Sequence, residues 1–153
     1  MSAVLRPEFE LRPMTEADLP AVLEIENAIY AFPWTAGNFR DSLAAGYRGW
    51  LYLQDGALVG YAVLMLAADE AHLLNLSVAA PRQRQGHGSR LLQYLCEAAR
   101  ASGARLIFLE VRPSNAAGMR LYQRHGFQRV GLRRDYYPAQ AGREDALIYS
   151  LPL

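Results

Sequence analysis

The sequence has little that would cross-link it, anchor it or hold a metal. One cysteine, Cys96, stands among 153 residues. No disulfide can form within one copy, and a reducing compartment such as the cytoplasm fits. Beside the apolar face of a helix, Cys96 reads as a small packed side chain. The three histidines, His72, His87 and His125, are scattered without ligand spacing, so no metal site is expected. No apolar run is long enough for a bilayer: residues 57–68 are interrupted by Gly60. Arg6, Pro7 and Glu8 occupy the region Met1 to Glu10, where a secretory leader would need an apolar core. No membrane association is expected. A surplus of one charge is also missing. Sixteen basic against fifteen acidic residues give a net charge of +1, no broad footprint for nucleic acid. Neither G-x-S-x-G nor a cysteine–histidine signature occurs, which argues against a hydrolase. No repeat, low-complexity stretch or linker divides the chain.

What is present suffices for a real core. At 52% hydrophobic and 20% charged, residues 1–153 read as a single α/β domain. A strand is expected at 8–13, with Phe9 and Leu11 alternating against Glu10 and Arg12. Thr15 and Asp18 form a capping-box variant ahead of a helix carrying Leu19, Val22, Leu23, Ile25, Glu26 and Ile29. Thr35 caps a shorter helix reaching about Ala45. Strands at 50–53 and 58–66 flank the turn signal Gln54-Asp55-Gly56. A strand at 71–79 leads to a glycine turn and a helix ending near Ser102, with Gly103 beyond it. A buried-type strand at 105–111, a short helix to about His125 and closing strands at 127–137 and 144–151 follow. The last two are expected to be joined by a loop holding Pro138 and Gly142. Hairpins combined with a strand–helix–strand crossover predict a mixed sheet with helices on both faces. Ligands in such sheets gather at strand C-termini where connections diverge, here at the ends of strands 71–79 and 105–111.

The glycine turn reads Pro81-Arg82-Gln83-Arg84-Gln85-Gly86-His87-Gly88-Ser89-Arg90. Between a strand and a helix it suits an anion, because glycines admit close approach and the first helical amides lack partners. A diphosphate would fit, with Arg82, Arg84 and Arg90 nearby. It is no P-loop, since no Gly-Lys-Ser/Thr follows. It is no dinucleotide fingerprint, since Leu91 stands at the third glycine position. His87 reads as a solvent-facing turn residue rather than a catalyst.

Downstream, Glu110 is a carboxylate inside an apolar run, which is costly unless paired or functional. An ion pair with Arg112 or another arginine is the plain alternative. Tyr122 on the next helix, taken alone, reads foremost as a core or boundary aromatic, and Asn115 most simply as a helix start. Together with the turn they match a chemical need. Acyl transfer from a thioester to an amine requires a base for the amine proton, an acid for the leaving thiolate and amides for the oxyanion.

At Gln83-x-x-Gly86-x-Gly88 the sequence resembles the GNAT acetyltransferases. Through Ala31-Phe32-Pro33-Trp34, Leu109-Glu110-Val111-Arg112, Ser114-Asn115-Ala116-Ala117, Arg133-Arg134-Asp135-Tyr136-Tyr137-Pro138 and Gly142-Arg143-Glu144-Asp145-Ala146 it resembles, within them, the RimI family of N-terminal acetyltransferases. The resemblance implies the GNAT (acyl-CoA N-acyltransferase) fold, a mixed sheet of about six to seven strands. It implies acetyl-CoA as co-substrate and the N-terminal alanine of ribosomal protein S18 as acceptor. By the same likeness Leu76, Ser77 and Val78 meet the acetyl–pantetheine arm through backbone groups. Arg84, Gln85, Gly86, His87, Gly88 and Ser89 hold the pyrophosphate, and Asn115 touches the cofactor. Glu110 is the general base and Tyr122 the general acid. Phe32, Trp34 and residues 133–145 are expected to line the acceptor groove, with Asp135, Glu144 and Asp145 available to attract a basic peptide. Rival readings are another amine (a lysine side chain, another N-terminus or a small molecule) or a catalytically silent acyl-CoA-binding module. Oligomeric state stays open, a monomer being favoured.

Overall fold

A computed structural model describes residues 8–153. The expectation that no leader occupies the first ten residues falls mostly outside them. The elements are β1 (Phe9–Pro13), α1 (Leu19–Ile29), α2 (Ala36–Ala44), β2 (Arg48–Gln54), β3 (Ala57–Ala67) and β4 (Glu70–Val78). They continue with α3 (His87–Ala101), β5 (Leu106–Val111), α4 (Ala116–Arg124), β6 (Gln128–Ala139) and β7 (Gly142–Pro152). This is the expected order. The strands form a seven-stranded sheet in the order β1-β2-β3-β4-β5-β7-β6. Among the described strands only β4 and β5 pair in parallel, with α3 as their crossover.

Local chemistry explains the elements. The Asp18 carboxylate accepts from the Thr15 amide at 2.8 Å and fixes the turn entering α1, whose second residue is Pro20. Thr35 caps α2, its hydroxyl accepting from the Asn38 amide at 3.1 Å. Leu91, Leu92, Leu95 and Ala99 on α3 join Ile107, Leu109, Tyr122 and Tyr149 in one core on one sheet face. Leu19 and Val22 of α1 and Phe39 of α2 join Leu51, Tyr61 and Val63 in a second core on the other. Cys96 packs in the first, as expected.

Of the four register slips among the described strands, two shape the site. Between β3 and β4 the register slips, with Val63 opposite Asn75 but Leu64 opposite Leu73, so Leu74 is an extra residue in β4. Such a bulge bends its strand. Pairing of β4 with β5 stops at that place, at Leu73–Leu109. The sheet therefore opens beyond Leu74, and β4 continues to Val78 beside β3 alone. The second irregularity lies in β6, where the register slips between Arg133 and Tyr137 and Asp135 has φ +50°. Asp145 Oδ1 accepts from the Asp135 amide at 2.9 Å. Arg143 donates to the Asp135 and Tyr136 carbonyls at 2.7 and 3.0 Å.

One expectation is corrected here. Neither Pro138 nor Gly142 is in a loop: β6 runs through Pro138 to Ala139, a tight turn occupies residues 140 and 141, and Gly142 is already the first residue of β7. β6 is an edge strand, so a proline without an N–H costs its ladder little.

Candidate active site

The opening between β4 and β5 gathers the expected residues from several elements. Leu76, Ser77 and Val78 form the free end of β4. Arg84 and Gln85 follow in the turn, Arg84 with φ +64°. Gly86, at φ +84°, is the N-cap of α3. The helix's own ladder begins with Arg90 donating to the Gly86 carbonyl at 3.1 Å. The amides of His87, Gly88 and Ser89 thus open the helix without intrahelical acceptors, and no side chain caps that end. Two of the arginines expected beside an anion are engaged elsewhere. Arg82 donates to Gln54 Oε1 at 2.8 Å, and the Arg90 guanidinium lies 3.8 Å above the Phe9 ring.

His87 departs from its expected solvent-facing position. Its side chain is buried, with Nδ1 3.0 Å from the Tyr52 hydroxyl and the ring against Phe9. The reason is helical geometry: the first residue of α3 faces the sheet. Burial lowers its pKa, and Arg82 and Arg90 lower it further. Only its backbone can face the turn.

Glu110 lies on β5 with 8% of its side chain exposed. The arginine beside it is Arg133 rather than Arg112, as the wider form of that alternative allowed. His72 Nε2 stands 3.5 Å and Arg133 Nε 3.8 Å from Oε1. Burial lowers the His72 pKa, partly opposed by Glu110. Tyr122 comes from α4, is buried and packs on Phe127 with centroids 5.6 Å apart. Burial raises its phenol pKa, and neighbouring Tyr30 and Tyr137 add to the rise. Tyr137 is raised by burial and then by the Glu110 carboxylate. Tyr30, at the end of α1, is pushed up to about 12 by burial, opposed by its bond to Ser77. Three phenols and one carboxylate, from α1, α4, β6 and β5, thus meet at the opening. Asn115 caps α4, Oδ1 accepting from the Gly118 amide at 2.9 Å.

A cavity of about 370 Å³ lies beside this cluster, lined by Tyr30, Phe32, Arg112, Ser114, Ala139 and Glu144 among others. Phe32 and the β6–β7 hairpin line it. Trp34 does not: its ring packs on Phe39, centroids 5.0 Å apart, as part of the α1–α2 core. Glu144 is not a free acid either. It accepts from the Ser114 amide and hydroxyl, both at 2.9 Å, and pairs with Arg112 at 3.2 Å. The Ser114 hydroxyl bond foremost holds its carboxyl below the ordinary range. Asp135 and Asp145 are tied to each other in the β6 bulge. Arg112 also donates to the Pro138 carbonyl at 2.7 Å and lies 4.3 Å from the Tyr137 ring, so this salt-bridged knot locks the hairpin onto the β5–α4 turn.

Sequence reading missed Glu26. It is buried, accepting from Tyr61, Asn75 and the Trp34 amide. The signal was present: Glu26 stands four residues after Val22 and seven after Leu19, an acid on the apolar stripe of α1.

A sheet opened between parallel strands, with unpartnered helical amides on one side and a lined cavity on the other, suits an enzyme that moves a group from a long donor to a separate acceptor. The chain belongs to the acetyltransferase (GNAT) family, which uses acetyl-CoA and whose sequence model matches residues 19–127. It is 40% identical over 136 residues to the ribosomal protein bS18-alanine N-acetyltransferase of Escherichia coli K12, covering 89% of this chain and 92% of that one. The crystal structure of the Escherichia coli ribosomal-protein-S18-alanine N-acetyltransferase superposes with a TM-score of 0.88 at 38% identity, covering 95% of this chain and 94% of that one. A Salmonella typhimurium acetyltransferase solved with acetyl-CoA shares the fold, with a TM-score of 0.77 at 21% identity, covering 95% and 94%.

Proposed function

We propose that this chain transfers the acetyl group of acetyl-CoA to the N-terminal α-amine of a protein, the acceptor being the alanine of ribosomal protein S18. The observation that carries the reading is the opening of the sheet past Leu73–Leu109, with Glu110 the next residue of β5, in a chain 40% identical to an enzyme of that activity. The acceptor reading puts the reaction in the cytoplasm and needs one domain and one copy of the chain.

The residues present suit the donor. Amides of Arg84 to Ser89 at the start of α3 bind the pyrophosphate, with Gly86 supplying the left-handed turn that aims them. His87 contributes its amide alone. The backbone of Leu76, Ser77 and Val78, freed from β5, pairs with the pantetheine arm, and Asn115 meets the cofactor from the α4 side. Glu110 takes the proton that an α-amine, with pKa about 7.7–8.0, must lose to become a nucleophile. The Tyr122 phenol, kept protonated by burial, donates to the departing thiolate. The peptide enters through the cavity between Phe32 and the β6–β7 hairpin.

The test is fragment-ion mass spectrometry of an S18 amino-terminal peptide after incubation with acetyl-CoA and the enzyme. The acetyl group is expected on the terminal alanine. Acetyl confined to a lysine side chain would overturn the reading.

A further inference from the structure

Glu26 begins a directed chain of hydrogen bonds that ends at the reaction centre. Oε1 lies 2.7 Å from the Tyr61 hydroxyl and 3.2 Å from Asn75 Nδ2, and Oε2 lies 2.9 Å from the Trp34 amide. All three partners donate, so the carboxylate accepts on both oxygens. This fixes the Asn75 amide, its NH₂ toward Glu26 and Oδ1 away. Ser77 Oγ, 2.6 Å from Asn75 Oδ1, must donate to it. Ser77 has a single hydroxyl proton, so at its 2.6 Å contact with Tyr30 the phenol donates. The Leu76 carbonyl, 3.4 Å from the Tyr30 oxygen, competes poorly for that proton. The Tyr30 oxygen is left with lone pairs only. It sits at the free half of β4, lines the cavity beside Phe32 and Arg112, and is close enough to Tyr122 to perturb it.

We propose that the Tyr30 oxygen accepts a hydrogen bond from an N–H of the attacking amine, and that Glu26, Asn75 and Ser77 are positioning residues that hold it as an acceptor. The inference rests on the amine-acetylation reading above. In that reaction Glu110 first takes the ammonium proton and releases it to water. The neutral amine nitrogen then bonds to the acetyl carbon, the carbon–sulfur bond breaks, a second N–H proton goes to Glu110, and the thiolate takes one from Tyr122, whose phenolate is reprotonated from Glu110. Tyr30 receives no proton. It anchors an N–H that stays on nitrogen, which aims the lone pair at the thioester carbon. As nitrogen gives up electron density its N–H becomes a stronger donor, so the bond tightens toward the transition state.

Glu26→Gln is the sharpest test because it keeps volume and reverses direction. Its Oε1 must accept the Trp34 amide, so its NH₂ faces Asn75, which turns over. Ser77 then donates to Tyr30, and the Tyr30 proton points at the amine. Steady-state kinetics on the S18 peptide would compare wild type, Tyr30→Phe, Glu26→Gln and the double variant. Each single variant is expected to lower kcat/KM for peptide roughly 3- to 10-fold, mostly through kcat, with the KM for acetyl-CoA unchanged. In the Tyr30→Phe background, Glu26→Gln is expected to add nothing further. Should Glu26→Gln not fold, Ser77→Ala cuts the same chain and takes its place. Wild-type kinetics in Tyr30→Phe, or an undiminished Glu26→Gln effect in that background, would overturn the inference alone. A wild-type enzyme silent on the peptide would overturn the acceptor reading and this inference with it.

Discussion

Glu110 keeps its lone pairs available. Arg133 Nε stands 3.8 Å away and the His72 ring, whose charged form burial disfavours, 3.5 Å away, both beyond ordinary hydrogen-bond lengths, and the Tyr136 hydroxyl also approaches, so the carboxylate is not saturated. A carboxylate that serves as base is lost in Glu110→Gln, and kcat is expected to fall roughly 10²- to 10⁴-fold with acetyl-CoA affinity retained. Calorimetric titration of acetyl-CoA alongside the kinetics separates the two, and near-wild-type turnover would reject the role. Tyr122→Phe keeps the ring against Phe127 and removes only the hydroxyl. It is expected to slow turnover with a small change in Tm; a variant that unfolds would mark Tyr122 as structural instead. Neither residue is diagnostic alone in the sequence: Glu110 reads also as an ion pair and Tyr122 as a core aromatic, and only together with the glycine turn, and by the family likeness, do they point to a base and an acid. Glu26 was read past as a helix residue, because its partners Tyr61 and Asn75 lie 35 and 49 positions away. The inward turn of His87 was hidden for a related reason: Tyr52, its partner, comes from another strand 35 residues earlier.

The elements are legible where chemistry is local. Caps at Thr35 and Asn115, and glycines that end helices, mark boundaries within a residue or two. The bulges are not legible. Nothing in the alternation of β4 reveals that Leu74 is supernumerary, because the slip is defined against β3. The same holds at the closing hairpin, where Pro138 read as a breaker until its edge position was known. The free end of β4 depends on close approach by β3. A Cβ at Gly60 would stand 2.5 Å from the Ser77 carbonyl oxygen, backbone that cannot swing aside. Gly60→Ala is therefore expected to push β3 and β4 apart at Ser77, costing about 1–3 kcal/mol. It should also weaken acetyl-CoA binding, since Leu76 to Val78 move with the strand. Denaturant unfolding and a binding isotherm check this; unchanged acetyl-CoA affinity would detach that strand end from the cofactor.

At the scale of the molecule, the mixed sheet and its two helical layers follow from element order and patterning, while the insertion of β7 between β5 and β6 and the opening beyond Leu74 do not. A global property also follows from burial. His72, His87 and His125 all have pKa values lowered in the fold, by burial first. The unfolded chain, with histidines near pKa 6.5, binds protons that the folded chain refuses. Stability is thus complete above about pH 6.5 and falls as pH drops from there toward the lower folded values. Tm measured from pH 7.5 to 5 should decline in that window, and His87→Gln should flatten part of the slope; a Tm that rises on acidification would contradict the burial account. The central claim, that the opening delivers acetyl to a free α-amine, is tested most directly by thiol release from acetyl-CoA with two S18 amino-terminal peptides, one with its alanine amine free and one with it blocked. The account predicts turnover with the free amine only. Equal turnover with both would place the acceptor on a side chain and contradict it.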